Sequence, residues 1–422
     1  MTRFRCPLGA ASACAMILVL LSGCGGSPDS TGTGAGGAAR HGSGPEAYVD
    51  WPYFGRVPQR THYLPARSRV LDPPLTEAWS VDTHGLIEFP PAIAGGVAYV
   101  VNKFGNGKAV RLRDRRILWE VNLRPSNRGK PLDVTGPAYA EGRVFGAYID
   151  GYLAAADAAS GKRLWVDKLH AHLESSPLAV DGRLYLGTDD ADVICLRAAD
   201  GAILWRFEAP GAVKASPSYD DGRIFVADYE SSMFALDAAT GRPVWRTNTS
   251  RVAPFGEGGF FSSPAIGFGR VYAARDDGVV YAFDERTGRV DWAFPTGAAV
   301  YGSPALAQVP GTPPTVYIGA EDGRFYALDA RTGRLRWSHD VGGPIPGTAT
   351  VIGHTVYTSS FTTGETTGFD VRTHRPDFHL KQAGYTPVVS DGRRLFLIGY
   401  FALVALESAR RRDLKAPVHT SS

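Results

Sequence analysis

Cysteine is nearly missing from the body of this chain. Of four cysteines in 422 residues, Cys6, Cys14 and Cys24 fall at the N-terminus and only Cys195 follows. Beyond residue 24 there is no partner for an internal disulfide, no Cys-based metal site and no adjacent cysteine pair, so stability must come from packing. Cys195 itself sits in a strand pattern and reads as a buried, inert thiol. Charge of one sign is also lacking: 45 Lys and Arg against 42 Asp and Glu leave a formal +3, which offers no footing for nucleic acid or an anionic membrane surface. The one long apolar run ends at Leu21, too short for a spanning helix and without a charged stop after it. Helix-favouring runs are scarce, and no Ser/His/Asp or Cys/His arrangement can be assembled from local motifs.

What is abundant is glycine, 50 residues, and proline, 29, which suits many short strands joined by tight turns. At the N-terminus, Arg3 and Arg5 precede the apolar run as in an export signal. Leu21-Ser22-Gly23-Cys24 resembles a bacterial lipobox, which implies a lipoprotein signal peptide at 1–23 and a lipid on Cys24. An ordinary secretory signal with a chance cysteine, or an uncleaved anchor, are the alternatives. Residues 24–47 are a Gly/Ser-rich tether too polar to fold, and 408–422 are a polar tail.

Between them the sequence repeats. Aligned on a Ser/Gly-Pro pair, eight units begin near Pro91, Pro137, Pro177, Pro217, Pro264, Pro304, Thr348 and Pro387. The best-preserved units hold a short apolar strand, a turn such as Asp181-Gly182, an alternating strand such as RLYLGT, a second turn, a third strand such as MFALD, and a fourth that ends on tryptophan. A period of about 40 to 47 residues with four strands is that of a propeller blade, which is marginal alone and must stack on its neighbours. The fold class is therefore all-β: an eight-bladed β-propeller of four-stranded antiparallel blades over residues 48–407. Trp79 precedes the first unit and the last unit lacks a closing strand, so the N-terminal strand is expected to complete the C-terminal blade. Trp79, Trp119, Trp165, Trp205, Trp245, Trp292 and Trp337 are the expected blade-docking residues, with Phe378 in the seventh slot.

ALDAATGRPVW (235–245), AFDERTGRVDW (282–292) and ALDARTGRLRW (327–337) match the Ala-x-Asp-x-x-Thr-Gly-x-x-x-Trp docking motif of the pyrroloquinoline-quinone-type propeller repeats, and the lead-in DWPYFGRVPQRTHY (50–63) is similar to theirs. That family includes quinoprotein dehydrogenases, envelope assembly lipoproteins and sensor domains. This chain most resembles the propeller lipoproteins of outer-membrane β-barrel assembly. For the dehydrogenases, the resemblance would imply a quinone near the axis between an indole and a vicinal disulfide, with Ca²⁺ and an Asp base. Here every tryptophan is taken, seven at blade ends and Trp51 in the lead-in, and there is no cysteine pair. The expectation is a non-enzyme without cofactor or metal: a lipid-anchored, monomeric scaffold outside the cytoplasm that binds an envelope protein or peptide. A ligand sensor and a quinone-dependent dehydrogenase are the alternatives.

The segments entering each innermost strand should form the channel mouth, which makes Glu88, Phe89, Glu174, Lys214, Phe261, Tyr301 and Tyr385 candidate binding residues. Two long crossings, after Trp119 and Trp245, add Arg124, Arg128, Lys130, Arg251, Phe255 and Phe260. His170, His172 and Glu174 alternate, the spacing of a metal site on a strand, but an exposed crossing segment is the preferred reading. Asp189 to Asp192 read as turn chemistry rather than a Ca²⁺ site.

Overall fold

The structure, a computed structural model, describes residues 48–66, 69–124, 133–252, 258–382, 384, 388–399 and 401–409. These form eight antiparallel blades arranged as a ring. Blades 1 to 7 occupy residues 92–122, 138–168, 178–208, 218–248, 265–295, 305–340 and 350–380. Blade 8 takes Val389–Ser390, Leu395–Gly399 and Ala402–Ser408 from the C-terminal end and Leu75–Asp82 from the N-terminal end, with Trp79 opposite Ala405. A ring closed by both chain ends leaves no unpaired blade face, and the outer sheet edges that remain are the short fourth strands of each blade.

The local chemistry follows the turn residues. Asp181 and Gly182 both have positive φ (51° and 69°), as a two-residue hairpin requires of its centre. The third strand of blade 4, Ser232–Asp237, is buried at all but its last residue because neighbouring blades cover both faces, whereas the fourth, Pro243–Asn248, is half exposed. Each blade carries a register break between the third and fourth strands beside its closing aromatic, as between Ala235 and Leu236 opposite Trp245. The extra residue sharpens the twist that a fan of blades needs. In the Asp-x-x-Thr-Gly turns the Asp is a cap: Asp237 Oδ1 accepts from Thr240 N at 2.8 Å and Thr240 Oγ1 at 2.6 Å.

Blade-to-blade contact is made by indoles. Trp119, Trp165, Trp205, Trp245 and Trp292 donate Nε1–H to the carbonyls of Ala158, Ala198, Ala238, Glu285 and Ala330 on the next blade, at 2.9 to 3.1 Å. The next blade's turn glycine lies against the ring: a Cβ on Gly241 would meet Trp205 at 2.6 Å. Cys195 is fully buried within blade 3, and burial pushes its thiol up to about 12.

The lead-in does more than precede the ring. Its backbone carbonyls accept from the innermost strands in turn: Trp51 from Ile93, Pro52 from Tyr139, Pro58 from Tyr219, Gln59 from Ile266, Thr61 from Leu306, and His62 from Val351, all at 2.7 to 2.9 Å. Tyr63–Leu64 then pairs in parallel with Thr350–Ile352 as a fifth strand of blade 7. The segment thus runs along the innermost strands from blade 1 to blade 7 and ties blades to one another. Arg60 is fully buried at its centre and donates to the carbonyls of Pro217 and Phe54, each at 2.5 Å, and of Ser176 at 3.1 Å. Burial pulls its pKa down to about 9, so it is still a cation at neutral pH. The same burial, with the Arg60 charge, lowers His62 to about 3 and keeps its imidazole neutral.

Candidate functional site at the channel mouth

The Ser/Gly-Pro pairs that mark the repeat build the mouth. Backbone N–H groups of Gly136, Ser176, Ser216, Ser263 and Ser303 donate to the hydroxyls of Ser176, Ser216, Ser263, Ser303 and Thr348, one blade onward each time, at 2.9 to 3.0 Å. This circumferential belt holds the start of each inner strand at a fixed spacing from the next.

Above the belt lies a cavity of about 590 Å³, floored by Phe54 of the lead-in and lined by Glu88, Phe89, Lys103, Glu174, Lys214, Phe261 and Tyr301 among others. Its polar groups form two clusters. Lys103 Nζ is 2.6 Å from Glu88 and 2.8 Å from Asp133, and Lys214 Nζ is 2.8 Å from Glu174 and 3.6 Å from Asp189. Lys214 also lies over the Tyr229 ring at 5.3 Å, and Tyr229, Phe261 and Tyr301 follow edge-to-face at 6.4 and 5.9 Å. Burial raises the Glu88 carboxyl against the opposing pull of Lys103, and burial with the Glu174 charge raises Asp189. Burial disfavours both ammonium ions, yet the carboxylates outweigh it and hold Lys103 and Lys214 above the usual lysine range.

Six sequence candidates therefore meet another cavity-lining group directly: Glu88, Phe89, Glu174, Lys214, Phe261 and Tyr301. Phe89 shares the cavity and packs edge-on against Phe54 at 6.1 Å. Lys103 and Tyr229 were missed because they stand in the hairpins between second and third strands, away from the Ser/Gly-Pro slot, and the signal available was the turn facing the mouth in each blade; Asp133 stands at the edge of the slot itself, just before Val134 and Thr135, and its place there was the signal. Phe260 requires a correction: it is fully buried, edge-on to Tyr281 at 6.1 Å, because the chain turns its ring into the blade 5 core and leaves Phe261 outside. Arg124 is not at the mouth either; it pairs with Asp150 and lies over Tyr152. Arg251 is exposed in a turn. The alternation of His170, His172 and Glu174 has no strand to carry it, since Arg163–Lys168 ends first and His170 has φ 57°. Cys24, Arg128, Lys130, Phe255 and Tyr385 lie outside the described residues.

The sequence model of the family described as outer membrane protein assembly factor BamB matches residues 68–178, 149–259 and 251–409. The chain belongs to this family. A solved family structure, BamB from Moraxella catarrhalis, superposes with a TM-score of 0.65 at 18% identity, covering 79% of this chain and 99% of that one, a likeness of fold. Among curated proteins, the dehydrogenase subunit of the alcohol dehydrogenase (quinone) of Acetobacter aceti is 32% identical over 127 residues, 28% of this chain and 17% of its own length. The 1-butanol dehydrogenase (cytochrome c) of Thauera butanivorans is 33% identical over 125 residues, 28% of this chain and 18% of its own length. The chain thus aligns with less than a fifth of each curated relative.

These relatives correct the expectation of a non-catalytic scaffold: the curated proteins whose sequence this member of the BamB-type family shares are dehydrogenases. The absences that motivated that expectation concern one cofactor arrangement rather than catalysis as such. A resident tricarboxylic quinone can be tested against the mouth. Its lining supplies two cations, Lys103 and Lys214, against Glu88, Asp133 and Glu174, and both cations are already paired. Among the described residues no cluster of three His, Cys, Asp or Glu could hold a metal ion, and the tryptophans stand elsewhere. The residues present do not fit that group, because a trianion would enter a lining of net negative charge.

Proposed function

We propose that the chain is an oxidoreductase of the alcohol dehydrogenase class whose channel mouth receives an alcohol or polyol. The observation that carries this reading is the Lys214–Glu174 pair at 2.8 Å beside the exposed rings of Phe261 and Tyr301 in one cavity. Carboxylates accept hydrogen bonds from hydroxyls, an ammonium donates to them, and aromatic faces take the C–H surface between them. In this reading Glu174 takes the hydroxyl proton while the carbon's hydrogen leaves with the electron pair. The acceptor is an external quinone, the class in the relatives' name, so that an alcohol and a quinone give a carbonyl compound and a quinol.

Full-length protein supplied with a soluble quinone, a redox dye and a panel of primary alcohols and glycerol should reduce the dye in an alcohol-dependent way. Glu174→Gln should lower kcat at least about 100-fold, the usual loss for a proton acceptor. Absence of turnover, with or without added pyrroloquinoline quinone and Ca²⁺, would overturn the reading.

The match to an outer membrane protein assembly factor along 68–409 supports a second property, contact with an envelope protein from an anchored position. Among the described residues no helix is long and apolar enough to cross a membrane, so the anchor in this reading is the lipid on Cys24. Cys24→Ser should move the protein out of the membrane fraction and lose its crosslinks to membrane-embedded proteins; unchanged fractionation would count against lipidation.

A further inference from the structure

The interface between blades 6 and 7 breaks the docking rule twice at one place. In blades 2 to 6 the turn glycine lies flat on the preceding indole, as Gly161 on Trp119 and Gly333 on Trp292, where a Cβ would come within 2.7 Å. In blade 7 that position is His374, held at φ 62°, and its imidazole stacks on Trp337 at 5.5 Å and 28°. Trp337 Nε1 makes no hydrogen bond among the described residues, whereas the five indoles before it each reach a backbone carbonyl. The second departure is in blade 6. Its first hairpin, between Ala305–Ala307 and Thr315–Gly319, spans residues 308–314, where blade 3 needs only Asp181 and Gly182. Because strands alternate in direction, that hairpin and the turn bearing His374 lie on the same face of the ring, opposite the mouth.

Together they leave a crevice of about 810 Å³ between Pro310–Pro313 and the Trp337–His374 stack. Its walls carry Arg334, Arg336 and Arg372, and the only carboxylate in the lining is Asp329. That carboxylate is committed: it pairs with Arg336 and caps its own turn through Thr332 N at 2.9 Å. Arg336 Nε is buried without a hydrogen-bond partner. Among the described residues the Arg372 guanidinium makes one hydrogen bond, a long one to the carbonyl of Pro310 at 3.3 Å. The crevice therefore presents an excess of guanidinium charge, an unused indole N–H and a flat aromatic wall.

We infer that this crevice is a binding site for a small aromatic carboxylate, whose ring stacks on the Trp337–His374 wall and whose carboxylate is held by Arg372 and Arg334. Guanidinium forks match carboxylates bidentately, and a flat ring suits an indole–imidazole wall better than an alkyl chain does. The site is independent of the mouth: it lies on the other face and shares none of its residues.

Calorimetry on the full chain with naphthalene-2-carboxylate as the probe tests this. One site per chain is expected, with at least tenfold weaker binding of naphthalene-2-carboxamide, which keeps the ring and loses the charge. Arg372→Ala should weaken the carboxylate tenfold or more. His374→Gly installs the residue that the turns of blades 2 to 6 carry, so folding is not at risk, and it should abolish binding by letting the turn close on Trp337. Lys214→Ala at the mouth should leave binding unchanged. No binding tighter than about 1 mM, equal binding of acid and amide, or binding that survives both His374→Gly and Arg372→Ala would overturn the proposal.

Discussion

Gly288→Ala is expected to lower the stability of the ring by about 2 to 4 kcal/mol. Gly288 has φ 73°, and a Cβ there would stand 2.5 Å from Cε3 and 2.6 Å from Cδ2 of Trp245. The indole cannot withdraw, because its Nε1 donates to the carbonyl of Glu285 in the same turn at 3.0 Å and its ring packs at a tilt against Phe225 at 5.9 Å. Two costs then add: a left-handed conformation for a residue with a side chain, and an overpacked contact between rigid partners. Gly269→Ala separates them. It has the same φ of 73° with nothing within 4 Å of its Cβ, so it carries the backbone cost alone, about 1 kcal/mol. Urea unfolding of the two variants should show Gly288→Ala losing clearly more; equal losses would mean that the indole contact contributes nothing to ring stability.

The second large effect is expected at Arg60. Replacing it with alanine removes a fully buried guanidinium from the carbonyls of Pro217, Phe54 and Ser176 and leaves those acceptors without their donor in a dry site. Hydrogen bonds from a charged donor are worth more than neutral ones, and breaking a buried charged network costs about 3 to 5 kcal/mol. Phe54 belongs to the lead-in, Ser176 to the entry of blade 3 and Pro217 to that of blade 4, so the loss should also free the lead-in. Limited proteolysis should cut the Arg60→Ala variant within residues 48–66 before any blade is cut. A variant that unfolds at the wild-type urea concentration with its lead-in still protected would show that the backbone bonds suffice without Arg60. Because Phe54 floors the mouth, the same variant should weaken ligand binding there as well.

Blade number and the sharing of blade 8 between the two chain ends could be read from residue spacing, because both depend on local periodicity. Each hairpin needs its own turn residues, each strand its own alternation, and one large aromatic ends each unit. The inner lining of the mouth was legible where it fell in the slot before the Ser/Gly-Pro pair, as with Glu88, Glu174, Lys214, Phe261 and Tyr301. It was not legible for Lys103 or Tyr229, which stand in hairpins far from that slot along the chain and reach the cavity only because the second and third strands of a blade turn back toward the same face; Asp133, just before Val134 and Thr135, lies beside the slot itself. Phe260 and Phe261 show the limit most sharply. Adjacent residues on an extended chain point to opposite sides, and composition cannot say which side becomes core.

The serines of the repeat served as markers along the chain, but their hydroxyls work across it, each taking the N–H of the blade before. The lead-in likewise looked like a preface and became the tie that runs along the inner strands from blade 1 to blade 7. Pattern along one dimension decided what each unit would be: four strands, capped turns and a docking indole, all set by dihedral preference and polarity within about 40 residues. What the units make together was decided only on closure of the ring. Charges from different blades pair at the mouth, Arg60 is sealed among carbonyls, and His374 holds a crevice open where the turns of blades 2 to 6 carry glycine. Those contacts join residues tens to hundreds of positions apart, and their energies exist only once packing has removed the water between them.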